Sequence, residues 1–348
     1  MKKSKSLVLL FVIAAVAILG LYPLESYISR PGGAYELSPF VEVAGGDKND
    51  EGTFSLLTIA LAKATPLTYL YAQIADNQKI YKANQVRRED EDEEEYNVRQ
   101  LKLMSDSQFN AITVAFERAN LPYNVTTHGI FVYNVVEGSG ADGVLKAGDK
   151  ILGIDQLEEI TSKTIGGYLS DKQEGDVISL KIERDNKILT KEVTIQMIPK
   201  REKAGIGIEY SENRMVETKP AVKINSEEIG GPSAGLMFTL EILNQLLPED
   251  ITKGYKIAGT GEMYEDGTVG RIGGIDLKVI AADREGNDFM FAPDDEIDPS
   301  ILAKNPDLLS NYEEAEKVAK KIGTNMKIVP VKTIDDALAF LEKLPPKK

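Results

Sequence analysis

From Leu7 to about Leu24 the chain carries no charge, and Lys2, Lys3 and Lys5 stand just before that run. An apolar stretch of this length is near the minimum for crossing about 30 Å of hydrocarbon. The lysine bias keeps the tip inside and sends everything after Leu24 outward. Residues 1–25 are therefore expected to be a basic tip and one transmembrane helix, in a single-pass cell-membrane protein with extracellular C-terminal domains. A cleavable signal peptide is the competing reading, with Ala15-Val16-Ala17 as its cleavage tripeptide. That tripeptide lies inside the apolar run, which continues through Ile18 to Tyr22.

Beyond the run the pattern changes to short alternating segments. "YELSPFVEV" and "TFSLLTIAL" between 35 and 75 read as strands, the second following the turn-like "GGDKNDEG". "RREDEDEEEY" at 87–96 reads as a solvated helix or loop. Residues 98–119 place apolar positions at helical spacing. Four β-rich runs follow, Ile130–Val136, Lys150–Ile154, Val177–Arg184 and Leu189–Ile195, with Gly/Asp turns between them and one short helix near "TSKTIGGYLS". From about 202, strands and helices mix: "IGIEY", a helix after Ser233, "YKIAGTGEMY", a helix at 276–285, "DFMFAP", and a final strand and helix capped at Thr333. The fold class is α+β.

Composition narrows the chemistry. The 348 residues suit two or three domains, and 42% hydrophobic with 28% charged is an ordinary globular mixture. A formal net charge of −14 argues against nucleic-acid partners, whose phosphates need a basic surface. With no cysteine there is no disulfide and no thiolate nucleophile, and the single histidine, His128, excludes a His-rich metal site. No metal and no cofactor is expected. A hydrolytic site in this chain would have to find its base outside histidine.

"GGPSAGLMFTLEIL" at 230–243 seats Ser233 between a turn and an apolar helix. A serine there is ordinarily a cap. Its other use is as a nucleophile, with first-turn N–H groups placed to hold an oxyanion. Lys278 supplies a candidate base: its neighbours are Leu277, Val279 and Ile280, and Ala281 and Ala282 share its helical face. Such a lysine, once buried, loses its proton near neutrality and can take one from a serine. Gly230, Gly231, Ala234 and Gly235 are expected to let substrate backbone approach Ser233.

Two resemblances extend this. "GVLKAGDKILGID" and its surroundings resemble a PDZ domain over about 75 residues, departing at "DQLEEI" where many relatives carry an Asn-Gly or Asp-Gly hairpin. The likeness implies a peptide groove beside the strand Ile130–Val136, with loop 126–130 meeting the peptide carboxylate. His128, Gly129, Ile130 and Phe131 are then substrate-binding candidates, a plain surface role for His128 remaining open. "GGPSAG", "AGTGEM" and "GRIGGIDLKVIAA", in that order, resemble the proteolytic domain of the Lon family of Ser-Lys peptidases. That likeness implies Ser233 as nucleophile, Lys278 as general base and Thr260 as the hydroxyl orienting the amine. Gly230 and Leu277 stand where many Lon proteases have acidic residues.

No G-x-x-x-x-G-K-[ST] phosphate loop occurs, so no ATP is expected to be used. The arrangement resembles the membrane-anchored PDZ–Lon peptidases of Gram-positive bacteria. It implies an ATP-independent endopeptidase for exported peptides or unfolded proteins, with oligomerisation left open. The alternative is a PDZ scaffold whose protease-like domain is inactive. The expected divisions are 1–25, 26–123, a PDZ-like 124–200, and a Lon-type 201–348. Strands from 35–75 are expected to pair with the sheet of the last segment, making the PDZ-like module an insertion.

Overall fold

The computed structural model describes residues 10, 13, 16–46, 51–88, 91–199, 203–226 and 229–347. Most of the expected anchor lies outside the described residues. Residues 16–21 are helical, and among the described residues no helix is long and apolar enough to cross a membrane.

One six-stranded sheet draws on both ends of the chain. Its N-terminal strands are β1 (Ser26–Glu36), β3 (Thr53–Lys63) and β4 (Lys79–Lys82). Its C-terminal strands are β11 (Lys256–Gly259), β12 (Phe289–Pro293) and β13 (Lys327–Val331). They lie in the order β13-β12-β11-β3-β1-β4. β3 runs parallel to β11 with Thr53 opposite Lys256, so the two halves meet in the middle of the sheet. Nearby, β2 (Val41–Val43) pairs with β10 (Val222–Ile224).

The strands alternate cleanly between two buried faces. Phe54, Leu56, Ile257 and Phe291 point into one core, where they meet Phe116, Phe238 and Leu341. Those three come from α2 (Glu93–Arg118), α4 (Gly235–Leu246) and α7 (Ile334–Lys343). Leu57, Ala258, Met290 and Ala292 point the other way, against Val279, Ala282 and Ala315. These belong to α5 (Ile275–Arg284) and α6 (Asn311–Ile322). Helices cover both faces, as central parallel strands require. A buried side chain ties the small sheet to this body: Gln245 accepts from Val43 N–H and donates to Val41 O, both at 3.0 Å.

The second body is a five-stranded sheet with its own core of Ile130, Val132, Ile151, Ile165, Ile178, Leu180 and Ile182. Its elements are β5 (Tyr123–Val135), β6 (Lys150–Ile154), α3 (Ser162–Ser170), β7 (Val177–Arg184), β8 (Lys187–Thr194) and β9 (Ile208–Thr218). The strand order is β9-β5-β6-β7-β8. "IGIEY", expected in the protease segment, thus completes the PDZ-like sheet, and that sheet's boundary falls beyond Thr218 rather than at 200. Alternation marks a strand but does not say which sheet it joins.

The acidic run is less solvated than its composition suggests. Asp92 caps α2 by accepting from Glu95 N–H at 2.8 Å, and buried Glu91 takes a two-pronged hydrogen bond from Arg99 at 2.5 and 2.8 Å.

Candidate active site

Three elements converge on one point in the protease body. The turn before α4 brings Ser233, the end of β11 brings Thr260, and α5 brings Lys278. Lys278 Nζ lies 2.7 Å from Ser233 Oγ and 2.8 Å from Thr260 Oγ1. The Thr260 hydroxyl also lies 3.0 Å from the carbonyl oxygen of Ser233, which accepts Gly261 N–H at 2.9 Å as well.

Lys278 is 2% exposed and Thr260 fully buried. α5 turns its apolar face, Ile275, Val279 and Ala282, onto the sheet, and Lys278 goes under with it. Burial alone pulls the Lys278 ammonium down from its usual 10.5 to about 7. Of the two acids on the same helix, Asp276 is engaged elsewhere, 2.9 Å from Lys79. A lysine held this way gives up its proton far more readily than a solvated one, with a serine hydroxyl in direct reach.

Ser233 is not a cap here. The N-cap of α4 is Ala234, and it makes no side-chain capping bond. Two of the first N–H groups are already used, Gly235 N–H on Pro232 O at 3.3 Å and Leu236 N–H on Gly261 O at 3.1 Å. Among the described residues, the N–H groups of Ser233 and Ala234 make no backbone hydrogen bond.

The long helix α2, which the sequence marks as a helix without a role, is what fixes this turn. Gly231 donates its N–H to Gln100 O at 2.9 Å, and Ser107 Oγ donates to Pro232 O at 2.8 Å. A Cβ on Gly230 would stand 2.9 Å from Gln100 Cβ. One on Gly235 would stand 2.6 Å from Ser107 Oγ and 2.8 Å from Met263 N. The glycines expected to make room for substrate therefore make room for the protein's own helix. Polar positions on α2, Gln100 and Ser107, carry these contacts, and nothing in their spacing separates them from solvent-facing ones.

The groove expected beside β5 is also corrected. Ile130 and Phe131 pair with Glu212 and Ser211 of β9 on one side and with Ile151 and Lys150 of β6 on the other. Both edges of that strand are therefore taken. Gly129, at φ +78°, is pressed against Ile151 O, where any Cβ would collide with that oxygen. His128 is exposed, with Nε2 3.0 Å from Thr126 Oγ1 and its carbonyl accepting from Asn213 at 3.2 Å. These four residues are not brought to Ser233. The outer strand of the sheet is β9, beside which Ser162 at the start of α3 donates its N–H to Glu212 Oε1 at 2.9 Å.

Comparison with known proteins finds two kinds of domain in the chain. Residues 226–342 match the Lon protease (S16) C-terminal proteolytic domain, and residues 104–195 match the PDZ domain family. The chain is 31% identical over 137 residues to a Lon protease of Trichlorobacter lovleyi, covering 39% of this chain and 14% of that protein. A Lon protease of Haemophilus influenzae is 28% identical over 145 residues, covering 42% and 16% respectively. The chain thus spans about one seventh of the length of these relatives. Among solved structures, the PDZ domain of an SdrC-like protein of Listeria monocytogenes is 30% identical, covering 25% of this chain and 92% of that one, at a TM-score of 0.24. The chain carries a Lon-type serine peptidase domain and, ahead of it, a PDZ domain.

Proposed function

We propose that the chain is an ATP-independent endopeptidase in which Ser233 is the nucleophile, Lys278 the general base and Thr260 the group that aims the amine. The observation that carries this is the 2.7 Å approach of a buried Lys278 Nζ to Ser233 Oγ. The neutral amine takes the hydroxyl proton as Oγ bonds to the scissile carbonyl carbon. The carbonyl electron pair moves onto oxygen, where the N–H groups of Ser233 and Ala234 receive it. The C–N bond then breaks, and the ammonium returns the proton to the departing amine. Water, deprotonated by the same lysine, hydrolyses the ester.

Substrate is an extended peptide or an unfolded protein. The PDZ domain assists by taking a peptide strand along the outer edge of β9, with the residues just before β9 facing its carboxylate. The N-terminal apolar run retains the enzyme at the cell membrane with its domains outside, as in the Gram-positive PDZ–Lon peptidases it resembles.

The test is incubation of the purified chain with an unstructured protein, with and without Ser233→Ala or Lys278→Ala. Cleavage by the parent and none by either variant is expected, because nucleophile and base act as one unit. Turnover by either folded variant would overturn the assignment.

A further inference from the structure

The helix α1 (Pro66–Ala72) has two apolar faces, and only one is covered. Ala72 and Tyr69 pack inward on Ile28, Ala64 and Ile80. On the outside, Leu67, Leu70, Tyr71 and Ile74 are 58%, 60%, 58% and 82% exposed. Leu67, Leu70 and Tyr71, at i, i+3 and i+4, share one face of the helix, and Ile74 follows in the turn just after it. A short polar-flanked turn gains nothing from four large apolar groups in water, and an exposed stripe of this kind marks a contact surface.

The chain itself indicates what covers it. Leu24, the last residue of the N-terminal apolar run, donates its N–H to Ala64 O at 2.8 Å, and Ala64 N–H donates to Ser26 O at 2.8 Å. The end of the apolar run is thereby pinned beside Thr65, the N-cap of α1. From Ala64 to Ala75 there is no charged residue. Lys63, paired with Glu93 at 2.5 Å, stands opposite Tyr27, and Lys82 stands opposite Ser26. An exposed apolar stripe beside the end of an apolar run matches the boundary between acyl chains and headgroups.

We infer that α1 lies in the membrane interface with the stripe Leu67, Leu70, Tyr71 and Ile74 turned into the lipid, a second contact that fixes the protease body against the bilayer. This rests on the anchored reading of residues 7–24. A helix inserted beside the anchor removes the free rotation that a single span would allow.

The chain has no native cysteine, so single cysteines carrying a nitroxide can be placed at will. The full chain would be reconstituted in vesicles of phosphatidylethanolamine and phosphatidylglycerol. Nitroxides on Leu67→Cys, Leu70→Cys, Tyr71→Cys and Ile74→Cys would be compared with Thr68→Cys and Gln73→Cys. Leu19→Cys reports the anchor, and Lys320→Cys reports water, since that side chain is 75% exposed. The stripe positions should be relaxed by oxygen more than by a water-soluble nickel chelate, at shallower depth than Leu19→Cys, with Thr68→Cys and Gln73→Cys resembling Lys320→Cys. If Leu19→Cys is in lipid while the stripe behaves like Lys320→Cys, the inference is wrong and the anchor stands. If the stripe is sheltered from both reagents, a protein surface covers it and the inference is again wrong. If Leu19→Cys is itself in water, both readings fall.

Discussion

Thr260 directs its hydroxyl proton at the carbonyl oxygen of Ser233, 3.0 Å away, and so has only lone pairs to offer Lys278. One N–H of the neutral amine is thereby committed to Thr260. The same nitrogen lies 2.7 Å from Ser233 Oγ. The threonine thus ties the amine to the Ser233 turn while giving its own proton to that residue's carbonyl.

Replacing that hydroxyl should cost rate rather than binding. Thr260→Val keeps the shape of a fully buried side chain but lets the amine turn. kcat should fall roughly tenfold to a hundredfold, with KM little changed. Thr260→Ser should restore most of it. Steady-state kinetics on an unstructured protein would decide, and an unaltered kcat in Thr260→Val would remove the orienting role.

Activity should follow the amine. With the Lys278 ammonium held at about 7, kcat/KM should rise about tenfold per pH unit below that point and level off above it. A profile of initial rates across neutrality checks this. A rate that declines as pH rises through 7 would point to carboxylate chemistry instead.

Stability should carry the same signature with its own sign. The folded-state value for Lys278, about 7, lies below the ordinary 10.5. Below pH 7 the folded protein bears the full cost of a buried charge. Between the two values the unfolded chain binds the extra proton, so stability rises with pH by about 1.4 kcal/mol per unit. Lys278→Met should lack that slope and be the more stable protein at mildly acidic pH, although inactive. Denaturant unfolding of both proteins below and above neutrality reads the difference, and equal slopes would contradict burial.

Gly235→Ala tests the packing of α2 on the nucleophile turn. The added methyl meets Ser107 Oγ, which can rotate, and Met263 N, which cannot. A loss of about 1–3 kcal/mol of stability is expected, with a fall in kcat because Ser233 is two residues away. Ser107→Ala alone should not rescue it. Unchanged kinetics in Gly235→Ala would mean the turn tolerates movement of its helix.

The sequence was most legible where chemistry demands particular residues. Small neighbours around Lys278 and the Gly-Gly-Pro-Ser turn point to a buried base and a nucleophile, and the two are in contact. It was least legible where a segment's partner is remote in the chain. α2 reads as a helix, yet its value lies in a backbone carbonyl at Gln100 and a hydroxyl at Ser107, groups that no periodicity distinguishes. β9 reads as a strand, but its pairing with β5 is set by tertiary fit, and it moves the sheet's outer edge away from Ile130. Glu91 reads as one more solvated charge until Arg99, one face of α2 later, closes on it.

The parallel pairing of β3 with β11 has a consequence in time. A chain still being made holds β1, β3 and β4 as half a sheet, and Ser233 precedes both β11 and Lys278 in order of synthesis. Ser233 therefore exists before Lys278, before the strand that seats Thr260, and before the helix that buries the amine. Contacts between such distant segments form late and slowly. The contact between Ser233 and Lys278 therefore forms only when the last third of the chain has closed the sheet.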